Sequence, residues 1–398
     1  MNWHEFTHKL VTSIHPNLTD DEDLKRCCKL IRKHDKMLSS NGDFSCPSNT
    51  EVWQQVAKNT VIEKESLIQV SSNKQLEEEF MLIKVQSRPS GRLIFKMDRK
   101  QFMKRIFQEF GHIRWSSRNS RPSCKKENAL DIKIELNDKS DLTNVRCLQV
   151  GKFAQKLLQC DVTNLETESL ILSTSPPNID NSRKYCVAVG PVLDKSTKKK
   201  SQESFLDLYK QFYDIMDDIS KEREAPNQSE QDRLKSLHIL ISAEIQFQLL
   251  GSNICQPVIL DKTAPKLATF VLYNHARIVQ LLKCSKYDSK NDYLGPSEVT
   301  ELLNEEEEWE IIFVYMANYL NLIQNTFEYS NNIKVGRICQ FLVDLCNTFS
   351  RYYNRIHIIK KSDHLKPLQN ARLHFISVIK IILEHGLLLM DISCLEQM

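Results

Sequence analysis

Glycine is scarce in this chain, nine residues in 398, and none of them falls in a Gly-x-x-x-x-Gly-Lys or Gly-x-Gly-x-x-Gly phrase. The two common glycine-rich cradles for phosphate are therefore missing. No apolar run approaches the roughly 20 residues that a bilayer-crossing helix needs. The opening Met1–Asn2–Trp3–His4–Glu5 lacks the basic start, apolar stretch and small-residue cleavage site of a secretory signal. Twelve cysteines are present, but apart from Cys27–Cys28 none is closely paired, which argues against a disulfide framework and against a C-x-x-C zinc knuckle. Free thiols in the cytoplasm, no metal and no membrane are the resulting expectations. None of the eleven histidines forms a His-x-Gly-His unit.

Charge is present in quantity and is segregated. The formal net charge is only +3. Yet Lys84 to Lys126 holds thirteen Lys or Arg against two acids, Asp98 and Glu109, and Asp288 to Glu328 holds ten acids against Lys290 alone. A basic stretch of that density is the footprint a polyphosphate ligand selects for. The acidic run Glu305–Glu306–Glu307–Glu308 would repel such a ligand. It is expected on the far side of a bundle or on a protein-binding face, where its acids would also suit a helix N-terminus. Trp309 beside it reads as core.

The length suggests two or three domains. Residues 1–128 read as an α+β module, with a hairpin of alternating strands around Met81–Val85 and Leu93–Met97, then a helix through Phe102, Ile106 and Phe110. Residues 129–262 begin with a small α/β region: strands at Ile132–Leu136, Ser169–Ser173 and Tyr185–Val189, and a helix through Cys147, Val150 and Ala154. Helical spacing dominates from Ser204 onward. Residues 263–398 read as a bundle of long helices with short connections. Its clearest stripe is Val335, Ile338, Cys339, Leu342, Leu345, Cys346, Phe349, Tyr353 and Ile356. The last helix is expected from about Pro367 to Gly386, with Gly386 in a left-handed cap.

Phrases in this last part resemble a known family. Tyr273–Asn274–His275–Ala276–Arg277–Ile278 looks like the phrase that opens the anticodon-binding domain of arginyl-tRNA synthetases, with Asn274 where the family has alanine. Phe349–Ser350–Arg351–Tyr352–Tyr353–Asn354, Asn370–Ala371–Arg372–Leu373 and Glu384–His385–Gly386–Leu387–Leu388 follow in the family's order. The histidine signature expected after the Ile132–Leu136 strand is replaced by Asp141–Leu142–Thr143–Asn144–Val145–Arg146. A shortened chain of this kind resembles the DALR anticodon-binding domain-containing protein 3 family. That resemblance implies a fold that is mainly α with α+β N-terminal parts, a degenerate class I synthetase-like α/β middle region and a C-terminal all-α DALR bundle. It also implies a noncatalytic adaptor without cofactor, which recognises arginine tRNAs and presents them to a tRNA methyltransferase forming 3-methylcytidine.

Anticodon loops expose unstacked bases and a curved backbone, so a reader needs flat side chains and cations. Arg351, Tyr352, Tyr353, Arg355, His357, Lys360 and Lys361 supply both within eleven residues. Tyr353 continues the apolar stripe, whereas Tyr352 lies off its centre and reads as the more available ring. Tyr273, Arg277, Arg372, His374 and the terminal Met398 complete the anticodon set, with Arg277 either holding a base or pairing with an acid. Arg88, Arg92, Lys96, Arg99, Lys100, Lys104 and Arg105 are candidates for backbone contact elsewhere on the tRNA, and Trp115 for stacking.

Overall fold

The computed structural model describes residues 3–62, 81–88, 91–112, 130–135, 141–158, 168–174, 184–222, 229–262, 266–287, 294–328, 332–359 and 362–396. Lys360, Lys361, Trp115 and Met398 lie outside them. Two compact units form: Met1–His112 with Leu294–Asn318, and Ile113–Tyr293 with Tyr319–Met398.

The first unit is built on a four-stranded sheet in the order β1-β2-β4-β3, comprising β1 (Arg32–Lys33), β2 (Phe44–Pro47), β3 (Leu82–Arg88) and β4 (Arg92–Met97). The β3–β4 hairpin is antiparallel, as the alternating pattern predicts. Its core is aromatic. Phe6 stacks on Phe44 at 4.5 Å, and Trp309 lies 5.1 Å from Phe313 and 5.4 Å from Phe102. Trp309 is fully buried, as expected. The segment carrying it arrives from far along the chain as the helices Pro296–Leu302 and Glu306–Glu310, followed by a π-helical turn, Ile311–Met316.

Asp43 ties this late segment to the sheet. One carboxylate oxygen accepts the Met97 N–H at 2.7 Å and the other accepts the Trp309 indole N–H at 2.9 Å. Burial is the larger influence on its acidity and pushes its pKa up to about 6.

The acidic run opens the helix Glu306–Glu310, where its acids suit the N-terminus, and two of its acids are engaged within the unit. Glu308 is buried and accepts the Glu305 N–H in a capping box, which satisfies an orphan donor at the helix start. Glu306 takes Arg99 with two hydrogen bonds, at 2.8 and 3.1 Å.

The second unit opens with a parallel sheet of β5 (Leu130–Glu135), β6 (Glu168–Ser173) and β7 (Lys184–Ala188). Parallel strands need a crossover, and the helix Leu142–Leu158 lies between β5 and β6 in the chain. Gly151 lets this helix lie close to the sheet: a Cβ there would meet Ile134 Cδ1 at 2.2 Å. The helices Phe205–Glu222 and Glu230–Leu250 enclose Leu208, Phe212, Leu237, Ile241 and Ile245.

The helices Leu267–Cys284, Val335–Arg355 and Lys366–Leu389 form the C-terminal layer, with the first packed on the other two. The last helix runs through Gly386 and does not end there. A Cβ on Gly386 would come within 2.9 Å of Leu342, so this glycine permits close helix packing, and the positive φ past the helix end belongs to Asp391 at 62°. Among the described residues no helix is long and apolar enough to cross a membrane, and no group of His, Cys, Asp or Glu could hold a metal.

Candidate nucleic-acid interface

Tyr273 and Arg277 are one turn apart on Leu267–Cys284, so they share a face. Tyr273 is 44% exposed, although its neighbours Val271, Leu272 and Asn274 are buried. Arg277 donates to the Tyr273 hydroxyl at 2.7 Å, and its guanidinium carbon lies 4.5 Å from the Tyr273 ring centre. It also lies 4.4 Å from the ring centre of Tyr353, which comes from Val335–Arg355. One guanidinium thus meets two tyrosine rings on two helices, and cation–π attraction at such sites is worth about 0.5–2 kcal/mol. Tyr273 and Arg277 on one helix and Tyr353 on another thus form a single cluster of two rings and a cation.

The helices are locked together directly beneath it. Asn274 is fully buried and donates to the Phe270 carbonyl at 2.9 Å, while its side-chain oxygen accepts the Ser350 hydroxyl at 2.9 Å. The departure from the alanine of the family phrase thus builds a polar cross-link between the first and second C-terminal phrases. Asn274 and Ser350 stood inside phrases already singled out, and the signal for them was the substitution itself.

The two adjacent tyrosines exchange the places expected of them. Tyr352 is 0% exposed, with its ring edge-on to Phe375 at 5.6 Å, whereas Tyr353 is half-buried. The physical reason is the helix phase: Tyr352 lies three residues after Phe349 and seven after Leu345, both fully buried, which puts it on the core face. Arg372, at 5% exposure, also lies in the core. His374 is half-buried, its Nδ1 3.3 Å from the Tyr287 hydroxyl, and burial lowers its pKa. Arg351, Arg355 and His357 are exposed. Arg351 donates to Thr348 Oγ1 at 3.2 Å.

The segment before the chain end is fastened to the tyrosine-bearing helix. His275, buried, has its two ring nitrogens 3.0 Å from the Leu395 carbonyl and 3.3 Å from Glu384. Gln280 donates to the Glu396 carbonyl at 2.9 Å, and Lys283 pairs with the Glu396 carboxylate at 2.6 Å.

The position where a synthetase of this kind needs phosphate-donating histidines holds different chemistry. Asp141 starts the helix Leu142–Leu158, accepting the Thr143 N–H at 2.8 Å, and pairs with Lys200. A carboxylate there opposes phosphate binding. Arg146 is completely buried and donates from Nε, Nη1 and Nη2 to the carbonyls of Leu249, Gly190, Gln256 and Asn253 and to Ser252 Oγ, at 2.7–3.0 Å. Five hydrogen bonds use all five donors of the guanidinium. Arg146 therefore staples the strand end to the 249–256 loop.

In the first unit the basic candidates divide. Arg99 is held by Glu306 and stacks over Trp309 at 5.2 Å, Lys100 pairs with Glu301, and Arg105 pairs with Glu109 at 3.1 Å. Sequence order hid the first two pairs, which join residues about 200 positions apart. Arg92 donates to Ser45 and Lys96 to the Ser39 carbonyl, and Lys104 is exposed. Of Arg88 the backbone alone is described.

Residues 271–398 match the model of the DALR anticodon binding domain. A rat relative, "DALR anticodon-binding domain-containing protein 3", is 27% identical over 179 residues, covering 41% of this chain and 33% of the relative. The match spans about a third of that protein's length. An arginine–tRNA ligase from Prochlorococcus marinus is 29% identical over 133 residues, covering 33% of this chain and 20% of the ligase. Among solved structures, arginyl-tRNA synthetase from Plasmodium falciparum aligns over 100% of this chain and 98% of its own, with a TM-score of 0.63 and 9% identity. At that identity the likeness establishes the fold. Residues 271–398 are thus similar to the DALR anticodon binding domain, in a chain that shares its fold with arginyl-tRNA synthetase structures.

Proposed function

We propose that this chain is a noncatalytic tRNA-binding adaptor, which holds the anticodon arm of arginine tRNAs on its DALR domain and presents them to a methyltransferase that forms 3-methylcytidine. The observation that carries the reading is the Tyr273–Arg277–Tyr353 cluster: one guanidinium in contact with two tyrosine rings, of which Tyr273 is exposed. Such a cluster suits an unstacked base, since base–aromatic stacking is worth about 1–3 kcal/mol per base. Exposed Arg351, Arg355 and His357 border the end of the same helix, where they would meet phosphate, with Lys360, Lys361 and Met398 following in sequence. Tyr352 and Arg372, both buried, support the bundle from within. The noncatalytic part of the reading is supported by Asp141 and Arg146: the first is a carboxylate, and the second spends its five donors within the protein. Cytoplasmic placement belongs to the same reading and is supported by the free thiols.

Binding of a labelled arginine-tRNA anticodon stem-loop at low salt tests the tRNA reading. Submicromolar binding that weakens at least tenfold in Arg277→Ala and Tyr353→Ala is the expected result, and no binding, or binding indifferent to both changes, overturns it. ATP-dependent aminoacylation by the purified chain would overturn the noncatalytic reading. The methyltransferase step is tested in cells by removing the chain and measuring 3-methylcytidine in arginine tRNAs, which is expected to fall. An unchanged level sinks that part.

A further inference from the structure

The outer strand β1 puts a lysine where alternation calls for an apolar residue. Lys33 pairs with Phe44 of β2, so the two share a face. Phe44 is fully buried in the aromatic core, while Arg32, one place along, is exposed. The Lys33 Nζ lies 4.7 Å from the ring centre of Trp3 and 4.7 Å from that of Phe313. Those two rings are 5.3 Å apart and inclined at 66°, so they stand as two walls beside the ammonium. All of these residues belong to the first unit.

Hydrogen bonding does not account for the placement. An ammonium carries three N–H donors, and none of them reaches an acceptor among the described residues. The nearest carboxylate oxygen, Asp35 Oδ1, is 3.9 Å away, beyond hydrogen-bond range. Asp43, the other acid whose charge is felt at Lys33, gives one oxygen to Met97 and the other to Trp309. Burial is the larger influence and lowers the Lys33 pKa to about 8, against the pull of Asp35 and Asp43. The neutral, nucleophilic amine is therefore within reach near neutral pH.

A cation set against aromatic faces is the arrangement by which proteins recognise methylated ammonium groups. We propose that Lys33 is a methylation site, and that Trp3 and Phe313 are the cage for its own methylammonium. Methylation keeps the positive charge, so the attraction to the ring faces persists, and it replaces N–H donors that lack acceptors with methyl groups that need none. Acetylation would remove the charge and the attraction with it. In the transfer, the lone pair of neutral Nζ attacks the methyl carbon of a sulfonium donor. The carbon–sulfur bond breaks with its electrons on sulfur, a thioether leaves, and the new ammonium gives a proton to solvent before any further methyl is added. Because β1 is the outer strand and 20% of the Lys33 side chain is open to solvent, its flexible stem can swing the amine out to an enzyme.

Peptide mass spectrometry of the full chain, isolated from the cells that make it, reads the site directly. Methyl groups on Lys33 in most molecules are the expected result, with the exposed Lys29 and Lys36 unmodified. The same chain made in bacteria, and shown by its mass to be unmodified, is expected to melt about 2 °C lower. Lys33→Arg keeps the charge and takes no methyl from a lysine-specific enzyme, so its two preparations are expected to melt together. An unmodified or acylated Lys33 in the native chain overturns the proposal, and this reading does not depend on how the variant folds. Equal melting temperatures for the methylated and unmodified wild-type chains, or a difference that survives in Lys33→Arg, overturn the cage.

Discussion

Ser350 donates its hydroxyl to the buried Asn274 side chain at 2.9 Å, joining the two helices that bring Tyr353 against Arg277. A buried polar group that loses its partner costs about 1–3 kcal/mol. Asn274→Ala and Ser350→Ala should each lower unfolding stability by that order in denaturant titration. The double variant should cost less than the sum of the two, because the second change removes an already orphaned group.

The exchange of places between Tyr352 and Tyr353 separates packing from contact. Tyr352→Ala should destabilise by about 3 kcal/mol or more, as truncation of a buried aromatic does, and should lower the melting temperature measurably. Tyr353→Ala should cost less stability and more RNA affinity, while Tyr353→Phe keeps the ring and should bind near the wild-type level. Melting curves and stem-loop binding on the same preparations check both.

Arg146 is charged at neutral pH, since burial lowers its pKa only to about 10. Replacement by Met should leave four carbonyls and Ser252 without their donor and destabilise the second unit by several kcal/mol, on the order of 3 or more. Arg146→Lys should recover part of this, because an ammonium supplies three donors and cannot fork. Thermal unfolding followed by circular dichroism measures it.

His385, hydrogen-bonded to Tyr319 at 2.7 Å, is held by burial at a pKa of about 4. The unfolded chain binds a proton near pH 6.5 and the folded chain resists it until about 4. The contribution of His385 is thus fully present above pH 6.5 and is lost as pH falls toward 4. The loss amounts to roughly 3 kcal/mol by linkage. Stability measured from about pH 7 down to about pH 4.5 should fall more steeply in the wild type than in His385→Gln.

What was legible in the sequence was the local and the periodic. The β3–β4 hairpin, the three strands of the parallel sheet and the long C-terminal helices follow from alternation and three-four spacing. Tyr273, Arg277 and Tyr353 were each visible as candidates, although their meeting was not, because it depends on the rotation of two helices that Asn274 and Ser350 set. One residue of phase decided Tyr352 against Tyr353. The ion pairs of Arg99 and Lys100 were hidden more deeply, since a charge run looks free until a distant segment folds over it. Gly386 misled for a related reason. A glycine near a helix end suggests a cap, and only the neighbouring helix shows that it serves close packing.

Asp43 and Trp309, joined by one hydrogen bond, are separated by 266 positions in the chain. A ribosome adding 5–20 residues per second needs roughly 13–50 seconds to cover that interval. During all of it the aromatic core around Phe6, Phe44 and Phe102 lacks Trp309 and Phe313, and Asp43 has no indole to hold. The first unit to emerge is therefore left incomplete until residues 294–318 follow. Its half-built core is a surface that a chaperone would be expected to cover during synthesis. Proteolytic cleavage anywhere between residues 113 and 293 would likewise split the covalent link between the two halves of that core, leaving only their packing to hold them together.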